Sequence, residues 1–208
     1  MGRVVILAER ELARIESECL THADTETGGA LPGRAIDDAI VIPFTIAAGP
    51  NALRAVARFS PDSAWQQTVL DYLYARFGVD YQGDWHRHPG RFDRPSDHDL
   101  ATARRIVTDP SWNKASAVFP IAVIDGGHVR MRAYLMRRET EEFEEIPINI
   151  VPDTHPLMRA VLTGMEAEEK EESHVGPSTV VARGNPRRHA ARRLLRQAAA
   201  GLRRLSRI

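Results

Sequence analysis

From residue 84 to residue 99 the chain reads Asp-Trp-His-Arg-His-Pro-Gly-Arg-Phe-Asp-Arg-Pro-Ser-Asp-His-Asp. His86 and His88 are two positions apart. On a strand such residues point to one face, so both imidazoles can reach a single cation from a rigid element. After Pro89 comes a loop, then Ser96, whose hydroxyl suits a helix N-cap, and then Asp99 in the first turn of that helix. The intervening chain is long enough to fold the Asp99 carboxylate back onto the same ion. Two nitrogens and one carboxylate oxygen suit zinc and leave one tetrahedral position open, as catalytic sites do; structural sites are closed by four protein ligands. Paired histidines alone are common on surfaces, and Ser-x-x-Asp alone is a common helix start. The whole string is what points to a metal centre.

The elements that must position these residues can be read on either side. Val79 to His88 reads as a strand, and Pro89 stops it by disfavouring helical geometry at His88 and withholding a ladder donor. A helix follows over Asp97 to Val107. Upstream, Arg3 to Leu7 reads as a strand and Glu9 to Thr21 as an amphipathic helix with Leu12, Ile15 and Cys19 on its inner face. Gly28, Gly29, Pro32 and Gly33 read as a turn-rich connection. Ala39 to Ala47 reads as a buried strand and Ala55 to Phe59 as another. Ser60 and Pro61 open a helix to about Phe77, with Trp65, Val69, Tyr72 and Leu73 on its core face. Ala117 to Ile124 and His128 to Met136 flank Asp125-Gly126-Gly127 as a hairpin, and Glu145 to Val151 adds a last strand. Strands and helices interleave, which predicts an α/β fold: a mixed sheet flanked by helices, with no internal repeat.

The 208 residues allow one domain of ordinary size with a substantial core, and 43% apolar against 27% charged residues is globular composition. The expected boundaries are 1–152 for the organised domain and 153–208 for an extension, an acidic helix followed by an Arg-rich tail, helical or disordered. The net charge of zero hides an asymmetry, because nine arginines and no acids fall between Arg183 and Ile208. Within that tail Leu195, Ala198, Ala199, Leu202 and Leu205 recur at helical spacing over Arg187 to Arg207, the pattern of a docking helix. The one cysteine, Cys19, excludes an internal disulfide and a Cys-rich zinc module. With no long apolar run, a soluble cytoplasmic protein without a membrane span is expected. No Gly-Lys-Ser loop or G-x-G-x-x-G supports nucleotide chemistry, and an acidic body without a reading motif argues against nucleic acid as the main partner.

His86-x-His88-Pro89, six residues, then Ser96-x-x-Asp99 resembles the JAMM signature of MPN-domain metalloproteases. Glu26-Thr27-Gly28-Gly29-Ala30-Leu31 resembles the segment in which that family carries its catalytic glutamate. Gly49-Pro50-Asn51, Phe59-x-Pro61-Asp62 and Gly83-Asp84-Trp85 extend the likeness to a bacterial branch associated with ThiF-like activating enzymes and with mobile or defence elements. It covers about residues 1 to 152. Pro32 departs from the branch, where a second aliphatic residue is common.

The resemblance implies an MPN (cytidine-deaminase-like) fold, with zinc held by His86, His88 and Asp99, Glu26 as general base and then acid, and Ser96 steadying the oxyanion. Without it, Glu16 and Glu18 stand beside Glu26 as candidates, since nothing local singles one out. The implied activity is a zinc-dependent isopeptidase that removes or matures a ubiquitin-like modifier, deubiquitinase-like, in a bacterial conjugation or antiphage defence pathway. Its partners would be the modifier or its conjugates, with a ThiF-like activating enzyme and a conjugating enzyme. Two alternatives keep the fold: trimming of an adduct from a sulfur-carrier protein, and a metal-free MPN scaffold.

Overall fold

A computed structural model describes residues 2–163. The Arg-rich segment and most of the expected extension lie outside the described residues. The core is one mixed sheet of nine strands, ordered β10-β9-β7-β6-β2-β3-β1-β11, with β8 pairing both β6 and β9. Next to one edge, β1 (Val4–Ala8) runs parallel to both β3 (Ala39–Ile42) and the edge strand β11 (Ile148–Val151). β2 (Thr27–Ile36) is antiparallel to β3 and to β6 (Asp80–Arg87). β6 then runs parallel to β7 (Ser116–Val118) and β8 (Ile121–Asp125).

Side chains alternate between two cores, as a strand period of two requires. Val5, Leu7, Ile40, Ile42 and Trp85 pack with Ile15 and Cys19 of α1 (Glu9–Thr21) on one face. Ile6 and Val41 pack on the other with Leu73 of α2 (Ser63–Phe77), Ile106 of α3 (Asp97–Thr108), and Met158 and Val161 of a helix over residues 156–163. The boundary expected at Pro152 falls between β11 and this helix. Glu11 is fully buried on α1, where it accepts from the Thr45 amide (2.9 Å) and hydroxyl (2.6 Å) and ties the helix to the segment after β3.

Several expected elements take a different form. The glycines at 28, 29 and 33 lie inside β2, not in a turn. Glycine is needed there for close approach: a Cβ on Gly29 would stand 1.9 Å from the Ile46 carbonyl oxygen, and one on Gly33 would stand 2.2 Å from that of Val41. Pro32 sits at the register shift between Ala30 and Pro32, where its missing N–H is tolerated. The single strand expected over Ala55 to Phe59 is a hairpin, β4 (Leu53–Ala55) and β5 (Arg58–Ser60). Ser60 therefore belongs to β5, and Asp62 is the cap of α2, its carboxylate accepting from the Trp65 amide at 3.2 Å. Tyr72 remains 36% exposed, whereas Leu73 is buried in the core and Trp65 and Val69 pack half-buried against it, as expected. Pro120 divides β7 from β8, and Pro147 divides β10 (Phe143–Ile146) from β11, because proline cannot continue a ladder. Gly126 (φ 60°) and Gly127 (φ 85°) form the two-residue turn between β8 and β9 (His128–Arg137), as expected.

Candidate metal centre

His86 lies near the end of an internal strand, its amide donating to the Pro120 carbonyl at 3.1 Å and its backbone facing Gly28 on one side and Ile121 on the other. His88 follows one residue past the end of β6 and is 6% exposed. Asp99 comes from the first turn of α3, which Ser96 opens with a capping box: the Ser96 hydroxyl accepts from the Asp99 amide (3.3 Å), and the Ser96 amide donates to Asp99 Oδ2 (2.6 Å). A capping box normally places Glu or Gln at the third helical position; the shorter Asp keeps the carboxylate close to the helix end.

This geometry brings three donor atoms together. The two histidine Nε2 atoms are 2.9 Å apart, His86 Nε2 is 3.3 Å from Asp99 Oδ1, and His88 Nε2 is 3.3 Å from Asp99 Oδ2. Ligands bound at about 2.0–2.1 Å around one tetrahedral zinc are separated by roughly these distances, so the donor set fits the ion that the sequence implies. Among the described residues, His86, His88 and Asp99 are the group arranged to hold a metal.

The surroundings orient two of the three donors, His88 and Asp99. His88 Nδ1 is 3.2 Å from the Phe92 carbonyl, which takes the Nδ1–H and leaves Nε2 as a lone-pair donor. Burial opposes protonation of His88, but hydrogen bonding to Asp99, the negative charge of Asp99, the Phe92 carbonyl and the charge of Glu26 outweigh it and raise its pKa. Burial likewise favours the neutral form of Asp99, yet the two imidazoles and Ser96 hold its pKa well below the ordinary range. Asp99 is therefore an anion, as a ligand must be. Two residues before His86, the Asp84 carboxyl is pushed up to about 6 by burial despite a hydrogen bond from the Tyr81 hydroxyl at 2.7 Å.

Glu26 closes the loop between α1 and β2, its amide donating to the Ala55 carbonyl at 2.8 Å. The next residue, Thr27, pairs with Arg87 in the ladder, so Glu26 stands at the strand end that carries the two histidines. The alternatives are engaged elsewhere. Glu18 holds the Thr27 hydroxyl (2.7 Å) and the Arg54 guanidinium (2.8 Å), and Glu16 faces His128 and the Val129 amide. The Ser96 hydroxyl donates to Asp99 Oδ2 at 2.7 Å, so its proton is directed at the ligand. Cys19 is fully buried and its thiol is pushed up to about 12 by that burial, which leaves it no thiolate to act as a nucleophile. His98 is exposed on α3, as expected of a solvated position.

Three features escaped the sequence reading: the Phe92 carbonyl, the Tyr81–Asp84 pair, and Arg87, which is 3% exposed between the histidines. Only Arg87 carried a signal, a charge at an inward position of a strand. A cavity of about 730 Å³ opens between α1 and α2, lined by Ile15, Glu18, Ile46, Val69 and Trp85 among others, and none of the five site residues lines it.

The family model described as prokaryotic homologs of the JAB domain matches residues 8–143. The chain is 33% identical over 128 residues to "Probable metalloprotease y4qB" of Sinorhizobium fredii, covering 60% of this chain and 76% of that protein. It is 26% identical over 125 residues to the "CD-NTase/cGAS isopeptidase" of Enterobacter hormaechei subsp. hoffmannii, covering 59% of this chain and 67% of that protein. In fold it is similar to the solution structure of protein DSY2949 from Desulfitobacterium hafniense, with a TM-score of 0.55 at 20% identity over 73% of this chain and 97% of that one. With the matched span reaching from the end of β1 to the start of β10 and enclosing the whole donor cluster, the chain belongs to the prokaryotic JAB family of JAMM/MPN domains.

Proposed function

We infer that the chain is a zinc-dependent isopeptidase that releases a ubiquitin-like modifier from an amine. The observation that carries this is the convergence of His86 Nε2, His88 Nε2 and the Asp99 carboxylate within 4.8 Å of one another, beside Glu26. Family membership and relatives named metalloprotease and isopeptidase support a JAMM-type peptidase that uses a metal ion. Intact donors count against a scaffold, which has no physical need of three convergent ligands.

His86, His88 and Asp99 would hold the ion, which when bound supplies Lewis-acid activation of water and of the scissile carbonyl. The Glu26 carboxylate takes the proton of the attacking water and returns it to the departing amine, two tasks one carboxylate can perform in sequence. The capping box holds Asp99 Oδ2 through the Ser96 amide and hydroxyl and leaves Oδ1 facing His86. For Ser96 to assist the oxyanion, its proton must turn from Asp99. The β4–β5 hairpin pairs with no other strand among the described residues and lies against Glu26 through Ala55, so an extended modifier tail could add to its edge. On this reading, partners are the modifier's conjugates and the activating and conjugating enzymes of its pathway.

The test is to incubate the purified protein with fusions of ubiquitin-like proteins to a reporter peptide, with and without chelator. Cleavage after the modifier, lost on chelation and restored by zinc, is the expected result. Cleavage unaffected by complete metal removal would refute the reading.

A further inference from the structure

The most unusual buried group near the site is the guanidinium of Arg87. It stands between the two histidines in sequence but on the opposite face of the strand, with Trp85, and is 3% exposed. Among the described residues it forms no ion pair. Its partners are three backbone carbonyls of one loop: Nη1 donates to Thr25 at 2.7 Å and to His22 at 3.3 Å, and Nη2 donates to Ala23 at 2.5 Å. Its Nε has no partner. A buried cation without an acid is costly, and the hydrogen bonds that offset this cost all go to the residues immediately before Glu26.

We propose that Arg87 is the positioning residue for the Glu26 carboxylate, which rests on the reading of Glu26 as the proton carrier. The loop from His22 to Glu26 has no regular structure to hold it. The fork of Arg87 holds its carbonyls, the Ala55 carbonyl takes the Glu26 amide, and Glu18 and Arg54 hold the hydroxyl of Thr27, the residue directly opposite Arg87 in the ladder. Arg87 is a neighbour in sequence of both His86 and His88, so one strand end sets the histidines on one face and the base-bearing loop on the other. The distance between proton carrier and metal ligands is thereby fixed through a single rigid element. A planar fork suits this task because it can serve three acceptors at once, which an ammonium cannot do with the same geometry.

The experiment measures kcat, KM, metal content and amide hydrogen exchange for the full chain and for Arg87→Lys and Arg87→Met, each also in the Glu26→Gln background. Misplacing a catalytic group by about 1 Å costs on the order of 100-fold, so Arg87→Met should lose roughly that factor in kcat with KM and metal content little changed. Arg87→Lys, which keeps the charge and some of the donors, should fold and lose about tenfold, with faster exchange confined to residues 22–27. Neither substitution should reduce activity further once Glu26 is Gln, because both act on one step. Should Arg87→Met fail to fold, Arg87→Lys decides. An active wild type with a fully active Arg87→Lys variant, a loss that tracks metal content, or a loss that multiplies with that of Glu26→Gln overturns this proposal alone. A metal-loaded wild type whose activity survives Glu26→Gln overturns the reading of Glu26 and this proposal with it.

Discussion

Gly28 lies directly opposite His86 across the β2–β6 ladder, and a Cβ on Gly28 would stand 2.5 Å from the Trp85 carbonyl oxygen and 2.9 Å from His86 Cβ. The obstacle is strand backbone, which cannot move aside as a flexible side chain would. Gly28→Ala should therefore push β2 from β6, cost about 1–3 kcal/mol by overpacking, and displace His86. Chemical denaturation and zinc titration should show lower stability together with at least tenfold weaker metal affinity. Unchanged values of both would mean that the ladder relaxes without moving the ligand.

Ser96→Ala removes the cap of α3 and the hydroxyl that holds Asp99 Oδ2. Loss of the cap should cost roughly 1 kcal/mol, and loss of the hydrogen bond to a ligand should weaken zinc binding by about 10–100-fold. At saturating zinc, a further fall in kcat on the order of 100-fold is expected from a missing oxyanion donor. Unchanged turnover at saturating zinc would show that Ser96 only caps the helix and orients Asp99.

Asp84 makes the stability of the protein depend on pH. Its folded pKa, near 6 because of burial, exceeds the ordinary 3.8, so between these values the folded chain keeps a proton that the unfolded chain has released. The contribution is present below about pH 4 and is lost as pH rises through 6. Asp84→Asn keeps an acceptor for the Tyr81 hydroxyl and does not titrate. In metal-free protein, wild type should lose up to about 3 kcal/mol relative to the variant between pH 4 and pH 7, as urea unfolding can measure. A constant difference across that range would show that Asp84 titrates normally.

The donor cluster was legible because its spacing is local. A strand places His86 and His88 on one face, a proline ends the strand, and Ser96 starts the helix that returns Asp99. The helix over Glu9 to Thr21 was legible for the same reason, since its periodicity belongs to one element. What escaped the sequence depends on contacts between distant segments. Gly28 and Gly29 look like turn residues until β6 and Ile46 are seen to press against them. Glu26 could not be separated from Glu16 and Glu18 by residue type, because only the ladder between Thr27 and Arg87 brings it to the right strand end. Arg87 showed only as a charge at an inward strand position, because its three carbonyl partners lie 62 to 65 residues away.

On this mechanism Glu26 moves the proton in a metal-dependent cleavage while taking no part in holding the metal. The most direct measurement is cleavage of a modifier fusion by wild type and by Glu26→Gln, each with its zinc content determined by elemental analysis on the same sample. Close to one zinc per chain is expected in both proteins, with activity in the variant reduced ~100-fold or more. A variant that keeps its zinc and more than about a tenth of wild-type activity would contradict the account and place the base elsewhere.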